Sequence, residues 1–279
     1  MKIAMIVAAA TASLGRVAAA QVQTVALQPT ADASLYEVRG ETENANGAGQ
    51  SVFCGMTGGA SVRRALLRFD VATHVPAGST VVGASLRMQL TNTISGPQLV
   101  RLHRVTTAWT EGPTAPGGGE GGGAPAVAGD ATWSFASLPG AAWTNLGGDF
   151  VAASSATKSV DQLGAYEWSG PGLDADVQGW VDGVVDHGWI VLGNEGEIAS
   201  AKRFASRENV DPDARPVLTI DFVPPPGCPG DWDGDGDTDS DDVVLFFGAW
   251  DNGEGDVDGD EDSDSDDIVA FFGSWDSGC

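Results

Sequence analysis

The 279-residue sequence predicts a mainly-β protein, an antiparallel β-sandwich or jelly roll with one short helix, followed by a small α-helical tail made of paired loop–helix units. Three observations carry this. Between residues 21 and 223, short segments such as TVALQPT, ASLYEVRG, TVVGASLRMQLT, QLVRLHRVT, GWIVLG and RPVLTIDFV stand between Gly, Pro, Asn and Asp punctuation. In RRALLRFDV, Ala65, Leu67 and Phe69 alternate with Arg64, Leu66, Arg68 and Asp70, the period of two expected of a half-buried strand. At the C-terminus the chain repeats itself: residues 231–251 overlie residues 256–276 with 15 identities in 21 positions, one structural unit used twice.

Residues 1–20 carry one Lys, the apolar run IAMIVAAATASL and Ala18-Ala19-Ala20 ahead of Gln21, the layout of a secretory signal with a small-residue cleavage site. The run is too short to span a bilayer, and no other stretch approaches 18 uninterrupted apolar residues. The expectation is a secreted, extracellular or cell-surface-associated protein without membrane insertion. Residues 21–223 are enough for one domain with a sizeable core. One helix interrupts its strands, because Val177, Trp180, Val181 and Val184 recur at helical spacing over residues 174–183. Pro224-Pro225-Pro226-Gly227 then forms a stiff spacer before a second domain, residues 228–279.

In that second domain the acids fall at positions 1, 3, 5, 9 and 12 of two loops: Asp231, Asp233, Asp235, Asp239 and Asp242, then Asp256, Asp258, Asp260, Asp264 and Asp267. This spacing wraps a twelve-residue loop round a hard cation, with position 7 (Asp237, Asp262) supplying its backbone carbonyl. An all-oxygen donor set without Cys or His argues against zinc and copper, and the number of carboxylates suits six to eight ligands, so the expected metal is Ca2+, one ion per loop. Position 6, a turn that favours Gly, is Gly236 in the first loop and Glu261 in the second, which predicts the weaker site there. After each loop, Val243, Phe246, Phe247 and Trp250, and again Ile268, Phe271, Phe272 and Trp275, follow i, i+3, i+4, i+7 and predict a short amphipathic helix. Cys228-Pro229-Gly230 and Asn252-Gly253-Glu254-Gly255 precede the loops, so neither has the entering helix of an ordinary EF-hand.

The net charge of −25 is concentrated here: residues 228–279 hold 18 of the 39 acids and none of the 14 bases. A tail so acidic argues against a nucleic-acid partner and predicts mutual repulsion that metal would relieve.

The loop-plus-exiting-helix tandem resembles a type I dockerin, and Cys228 with the terminal Gly278-Cys279 resembles the variant at the C-termini of exported planctomycete-type bacterial proteins. The resemblance implies that the acids named above are Ca2+ ligands and that a cohesin-like scaffold protein is the partner. It also implies that Ser240-Asp241 and Ser265-Asp266, at equivalent positions of the two helices, face that partner. Export permits disulfides, and a Cys228–Cys279 clasp at the ends of so small a unit is the expected pairing, leaving Cys54 as a buried apolar thiol.

The first domain resembles the family abbreviated DNRLRE, disaggregatase-related and counted among carbohydrate-binding modules. The matching stretches include RRALLRFDV, VTTAWTEG, GGGEGGGAPAVAGDATW, DVQGWVDG, GWIVLGNE, KRFASREN and RPVLTIDF. The resemblance implies a β-sandwich that accompanies other activities on polysaccharide-processing proteins, with no catalytic residues to carry over.

Candidate chemistry inside the sandwich has two readings throughout. His74, His103 and His187 lie far apart, and His103 in LVRLHRV reads as a satisfied sheet residue. The Gly-rich insertion carries Glu111, Glu120 and Asp130, which would either join a packed loop or hold a further Ca2+, and paired carboxylates there could also serve a glycosidase. Trp109, Trp133, Trp143, Trp168, Trp180 and Trp189 read mostly as core, with one or two exposed rings as a stacking face for sugar. Arg63, Arg64, Arg68, Arg207 and Glu208 read as strand-pinning ion pairs or as recognition of an acidic glycan. The expected function is a non-catalytic polysaccharide-binding module delivered to a scaffold or surface by its tail; the rivals are a secreted polysaccharide hydrolase or lyase and a purely structural matrix protein.

Overall fold

A computed structural model describes residues 21–277 except residues 39, 41, 226, 235 and 236. The predicted signal, ligand Asp235 and the clasp cysteine Cys279 therefore lie outside the described residues. The chain divides into two compact units, Val22–Pro225 and one containing Pro226–Cys279.

The first unit is antiparallel throughout. Its strands are β1 (Gln23–Leu27), β2 (Ala31–Tyr36), β3 (Asn44–Ala45), β4 (Ser51–Met56), β5 (Val62–Arg68), β6 (Thr80–Thr93), β7 (Gln98–Arg104), β8 (Ala124–Pro125), β9 (Phe135–Ser137), β10 (Ala141–Ala142), β11 (Ala156–Val160), β12 (Gly164–Ser169), β13 (Trp189–Leu192), β14 (Lys202–Ala205) and β15 (Val217–Val223). The main sheet runs β1-β15-β6-β14-β4-β5-β13-β7-β11, with β12 on β6 and β2 on β5. It curls because β4 serves two neighbours: Ser51–Cys54 pair with β14, whereas Gly55 and Met56 pair with β5. The two halves thereby face each other as a sandwich, in agreement with the predicted class.

Between the halves lies the larger core. It draws Ala65 and Leu67 from β5, Leu86, Met88 and Leu90 from β6, Trp168 from β12, Trp189 and Val191 from β13, Phe204 from β14, and Leu218 and Ile220 from β15. Helix α1 (Pro171–Val181) adds Leu173, Val177, Trp180 and Val181, close to its predicted span; Val184, predicted on its apolar stripe, is exposed beyond the helix end.

A second core occupies the other face of β2, β5 and β13. Residues of opposite parity, Ala33 and Leu35, Leu66, and Ile190, pack there against Trp109, Trp133 and Trp143 from the Gly-rich insertion. The expectation of a half-buried β5 is thus corrected, since Leu66 as well as Leu67 is fully buried. An insertion roofed by three tryptophans replaces the solvent that the alternation anticipated.

In the second unit, α2 (Ser240–Trp250) and α3 (Ser265–Ser277) follow the two acidic loops. Their apolar faces meet at Phe246 and Phe271, fully buried and stacked with centroids 4.1 Å apart and planes 4° from parallel. Trp232 closes edge-on against both rings, and Phe247 meets Phe272 at 6.2 Å.

Candidate functional site

Each tail loop folds around its position-12 carboxylate. Asp242 and Asp267 are buried, and each does the same work: one oxygen accepts the N–H groups of positions 2 and 3 (Trp232 and Asp233, 2.6 and 3.1 Å; Val257 and Asp258, 2.6 and 3.2 Å) while the other accepts position 9 (Asp239, Asp264, both 2.8 Å). Asp239 is the N-cap of α2 in a reciprocal capping box with Asp242, so loop closure and helix initiation share one side chain. Position 1 ties the turn: Asp231 accepts Gly234 N at 2.8 Å, and Asp256 accepts Gly259 N and Glu261 N at 2.7 and 3.0 Å.

This arrangement gathers carboxylate oxygens from Asp231, Asp233 and Asp242, from Asp237, Asp239 and Asp242, and the repeat-related sets Asp256, Asp258, Asp267 and Asp262, Asp264, Asp267, each within 4.8 Å of one another. The crowding has an electrostatic signature. The carboxyl of Asp262 is pushed up first by the charge of Asp260, and that of Asp258 by partial desolvation together with the charges of Asp260, Asp267 and Asp256. Asp242 and Asp267 are held low by the backbone N–H groups they accept, against the effect of desolvation. Hard oxygen donors crowded to the point of mutual repulsion fit a divalent cation of the Ca2+ class. Glu261 has φ 77°, the left-handed conformation that position 6 was expected to require. Ser240, Asp241, Ser265 and Asp266 are all exposed on the first turns of α2 and α3, beside the exposed apolar side chains Val244 and Val269. Cys228 is disulfide-bonded, and Cys54 is a buried free thiol that burial pushes up to about 12.

The sandwich does not gather Glu111, Glu120 and Asp130. Asp130 is fully buried and braces the insertion, accepting from Thr114 N and Oγ1 and from Val127 N. Glu120 ties the Gly-rich tip, accepting Gln50 N at 3.0 Å through its carboxylate and the Tyr36 hydroxyl at 2.8 Å through its carbonyl. Glu111 instead joins Asp32 and Glu208. Arg207 holds this trio: its Nη1 reaches both Glu111 oxygens at 3.0 and 2.9 Å, its Nε reaches Glu208 at 3.2 Å, and its N–H donates to Asp32 at 2.6 Å. Burial and the charge of Glu208 raise the Asp32 carboxyl well above its usual range, and burial, then Glu111, raises Glu208. The fixed guanidinium already fills the cation's place. Asp32 carries no sequence signal beyond an acid between two alanines in the strand ADASLY.

The other candidates are engaged locally. Arg64 pairs with Glu195 at 2.8 Å and lies over the Trp133 ring, and Arg68 donates to the Trp109 carbonyl and lies over that ring. His103 is buried, its Nδ1 2.9 Å from the Val151 carbonyl and its ring edge-on to Phe150. None of the six sandwich tryptophans is exposed, which corrects the expected stacking face: all six fill the two cores.

Open surface lies elsewhere. Three adjoining depressions cross the sheet, of about 500, 120 and 230 Å3; the first two share Arg63 and the last two share Arg203. Tyr36, Phe53, Thr57, Asn92, Gln50 and Asn209 line them. Arg63 stacks over Tyr36 at 4.7 Å, and Phe53 lies 6.4 Å from that ring. Lys202, 1% exposed, is fixed by Thr93 Oγ1 and the Ser95 and Gly96 carbonyls, whereas Arg203 spends its Nε on Thr91 Oγ1. Tyr36, Phe53 and Arg63 are buried walls of these depressions, Arg63 donating to Gly121, Ser61 and Val62, so the groups open to a ligand are those of Arg203, Asn92 and Gln50, which can hydrogen-bond a sugar chain. No protein-family model matches the chain, and no curated protein is significantly similar to it.

Proposed function

We propose that the protein is a secreted, non-catalytic, polysaccharide-binding module whose dockerin-like tail folds around two calcium ions and attaches it to a cohesin-like scaffold. The observation that carries the reading is the twice-built carboxylate cluster of the tail, where like charges crowd without a single Lys or Arg among residues 228–279 to offset them. Bound calcium supplies two divalent charges there, and metal binding becomes folding free energy. The exposed Ser-Asp pairs and valines of α2 and α3 form a duplicated surface for the partner.

For the sandwich, the three-part depression whose accessible polar groups include Arg203, Asn92 and Gln50 supports a glycan site. Affinity electrophoresis of the whole protein in gels containing single polysaccharides, with Arg203→Ala and Asn92→Ala beside the wild type, tests this. Retardation by one polysaccharide that both substitutions reduce without lowering the unfolding temperature supports it. Retardation unaffected by either substitution rules out this groove, and release of reducing ends supports the hydrolase alternative.

A further inference from the structure

The two halves of the tail exchange tryptophans. Trp250, at the end of α2, donates its Nε1–H to the carbonyl of Asp264, position 9 of the second loop, at 3.1 Å. Trp275, in the last turns of α3, donates to the carbonyl of Asp239, position 9 of the first loop, at 3.0 Å. The loop entrances follow the same rule. A Cβ on Gly230, just before Asp231, would lie 2.6 Å from Trp275 N, and one on Gly255, just before Asp256, would lie 2.8 Å from Trp250 Cα. Each loop is therefore gripped at its start and at position 9 by one tryptophan, and for the first loop that tryptophan belongs to the helix that the second loop initiates.

We propose that these crossed tryptophans are positioning residues that couple the two calcium loops, so that filling either one tightens the other. The inference rests on the calcium reading of the tail. Metal in the second loop fixes Asp267 and the start of α3; a formed α3 presents Trp275 to Asp239, and Asp239 caps α2 within the first loop. The return path runs from Asp242 through α2 and Trp250 to Asp264. The Phe246–Phe271 stack joins the helices at the centre, so neither helix shifts alone. Coupling between sites is reciprocal by linkage, and it opposes the charge repulsion that would otherwise make the second ion bind more weakly.

Calorimetric titration of the full-length protein with calcium chloride tests the coupling. In wild type, the second ion is expected to bind more tightly than the first. With the second loop disabled by Asp256→Ala and Asp258→Ala, Trp275→Phe should weaken the remaining site about fivefold, the scale of one lost hydrogen bond, and Trp250→Phe should leave it within twofold. With the first loop disabled by Asp231→Ala and Asp233→Ala, the two tryptophans should exchange roles. Equal effects, or a loss confined to the loop in the same half, would overturn the crossed clasp. Should a variant not regain helical signal in calcium, the wild-type titration decides alone, since two independent ions overturn the coupling. A wild-type protein that binds no calcium refutes the metal reading itself, an outcome distinct from calcium bound without coupling.

Discussion

Asp186 should make the stability of the sandwich fall between mildly acidic and neutral pH. The residue lies in the turn between α1 and β13; one carboxylate oxygen accepts Gly188 N at 2.7 Å, and the other is buried without a hydrogen-bond partner among the described residues. Burial pushes its carboxyl up from 3.8 to about 7, against the N–H of Gly188 and the charge of Arg68 and with the charge of Asp70. A folded-state value above the unfolded one means that the native protein keeps a proton that the unfolded chain has lost. Stability from this group is present below about pH 4 and is lost as pH rises to about 7. A gap of roughly three units at about 1.4 kcal/mol per unit gives about 4 kcal/mol. Water reaching the half-buried side chain screens this to about 2–3 kcal/mol.

Asp186→Asn keeps the shape and the acceptor for Gly188 but cannot ionise. Its amide in the unpartnered position adds a constant cost, so the informative quantity is the difference between variant and wild type as a function of pH. Thermal unfolding of both full-length proteins in saturating calcium, from pH 5 to pH 8, should show the variant gaining on wild type by about 2 kcal/mol over that range. For a unit of this size that is an upward shift of about 4–8 °C relative to wild type. The tail titrates identically in both proteins and cancels. Parallel curves would show that Asp186 ionises normally in the folded state and would refute the reasoning.

Two further outcomes are expected. Glu261→Gly, measured with the first loop disabled by Asp231→Ala and Asp233→Ala, should tighten calcium binding about fivefold, because a side chain held at φ 77° costs about 1 kcal/mol; unchanged or weaker binding would show that the second loop stores no such strain. Non-reducing peptide mapping should find Cys228 joined to Cys279, with Cys54 alkylated only after unfolding because its thiol is buried and pushed up to about 12; rapid alkylation of native protein, or Cys54 in a disulfide, would contradict this.

How much of this was legible depended on how local the cause was. The two loop–helix units of the tail are legible because their causes sit within a dozen residues: carboxylate spacing, a stripe of aromatics and a position-6 residue whose left-handed backbone the structure displays at Glu261. Strand β5 alternates as a strand does, yet both of its faces are interior. Alternation reports the chemistry of a face, and Arg64 and Arg68 sit on the face that Leu66 shares with Trp109 and Trp133. Their guanidiniums lie over those rings, so positive charge at alternate positions marked a second interior rather than solvent.

The carboxylate trio of the sandwich was not legible for a topological reason. Asp32 belongs to β2, Glu111 to the insertion after β7, and Glu208 follows β14; only the curling of the sheet brings them together, with Arg207 as their shared partner. The sequence exposes Glu111 and Glu208 in motifs far apart and hides Asp32 in a wholly buried strand. The same distinction separates the crossed tryptophans from the apolar stripes that contain them. Helical spacing marks Trp250 and Trp275 as residues of a buried face, and both do flank the Phe246–Phe271 stack through Phe247 and Phe272. Which loop each indole holds is fixed by the exchange of tryptophans between the two half-units. A repeat seen in sequence leaves that exchange open, because a tail in which each tryptophan served its own loop would show the same 15 identities.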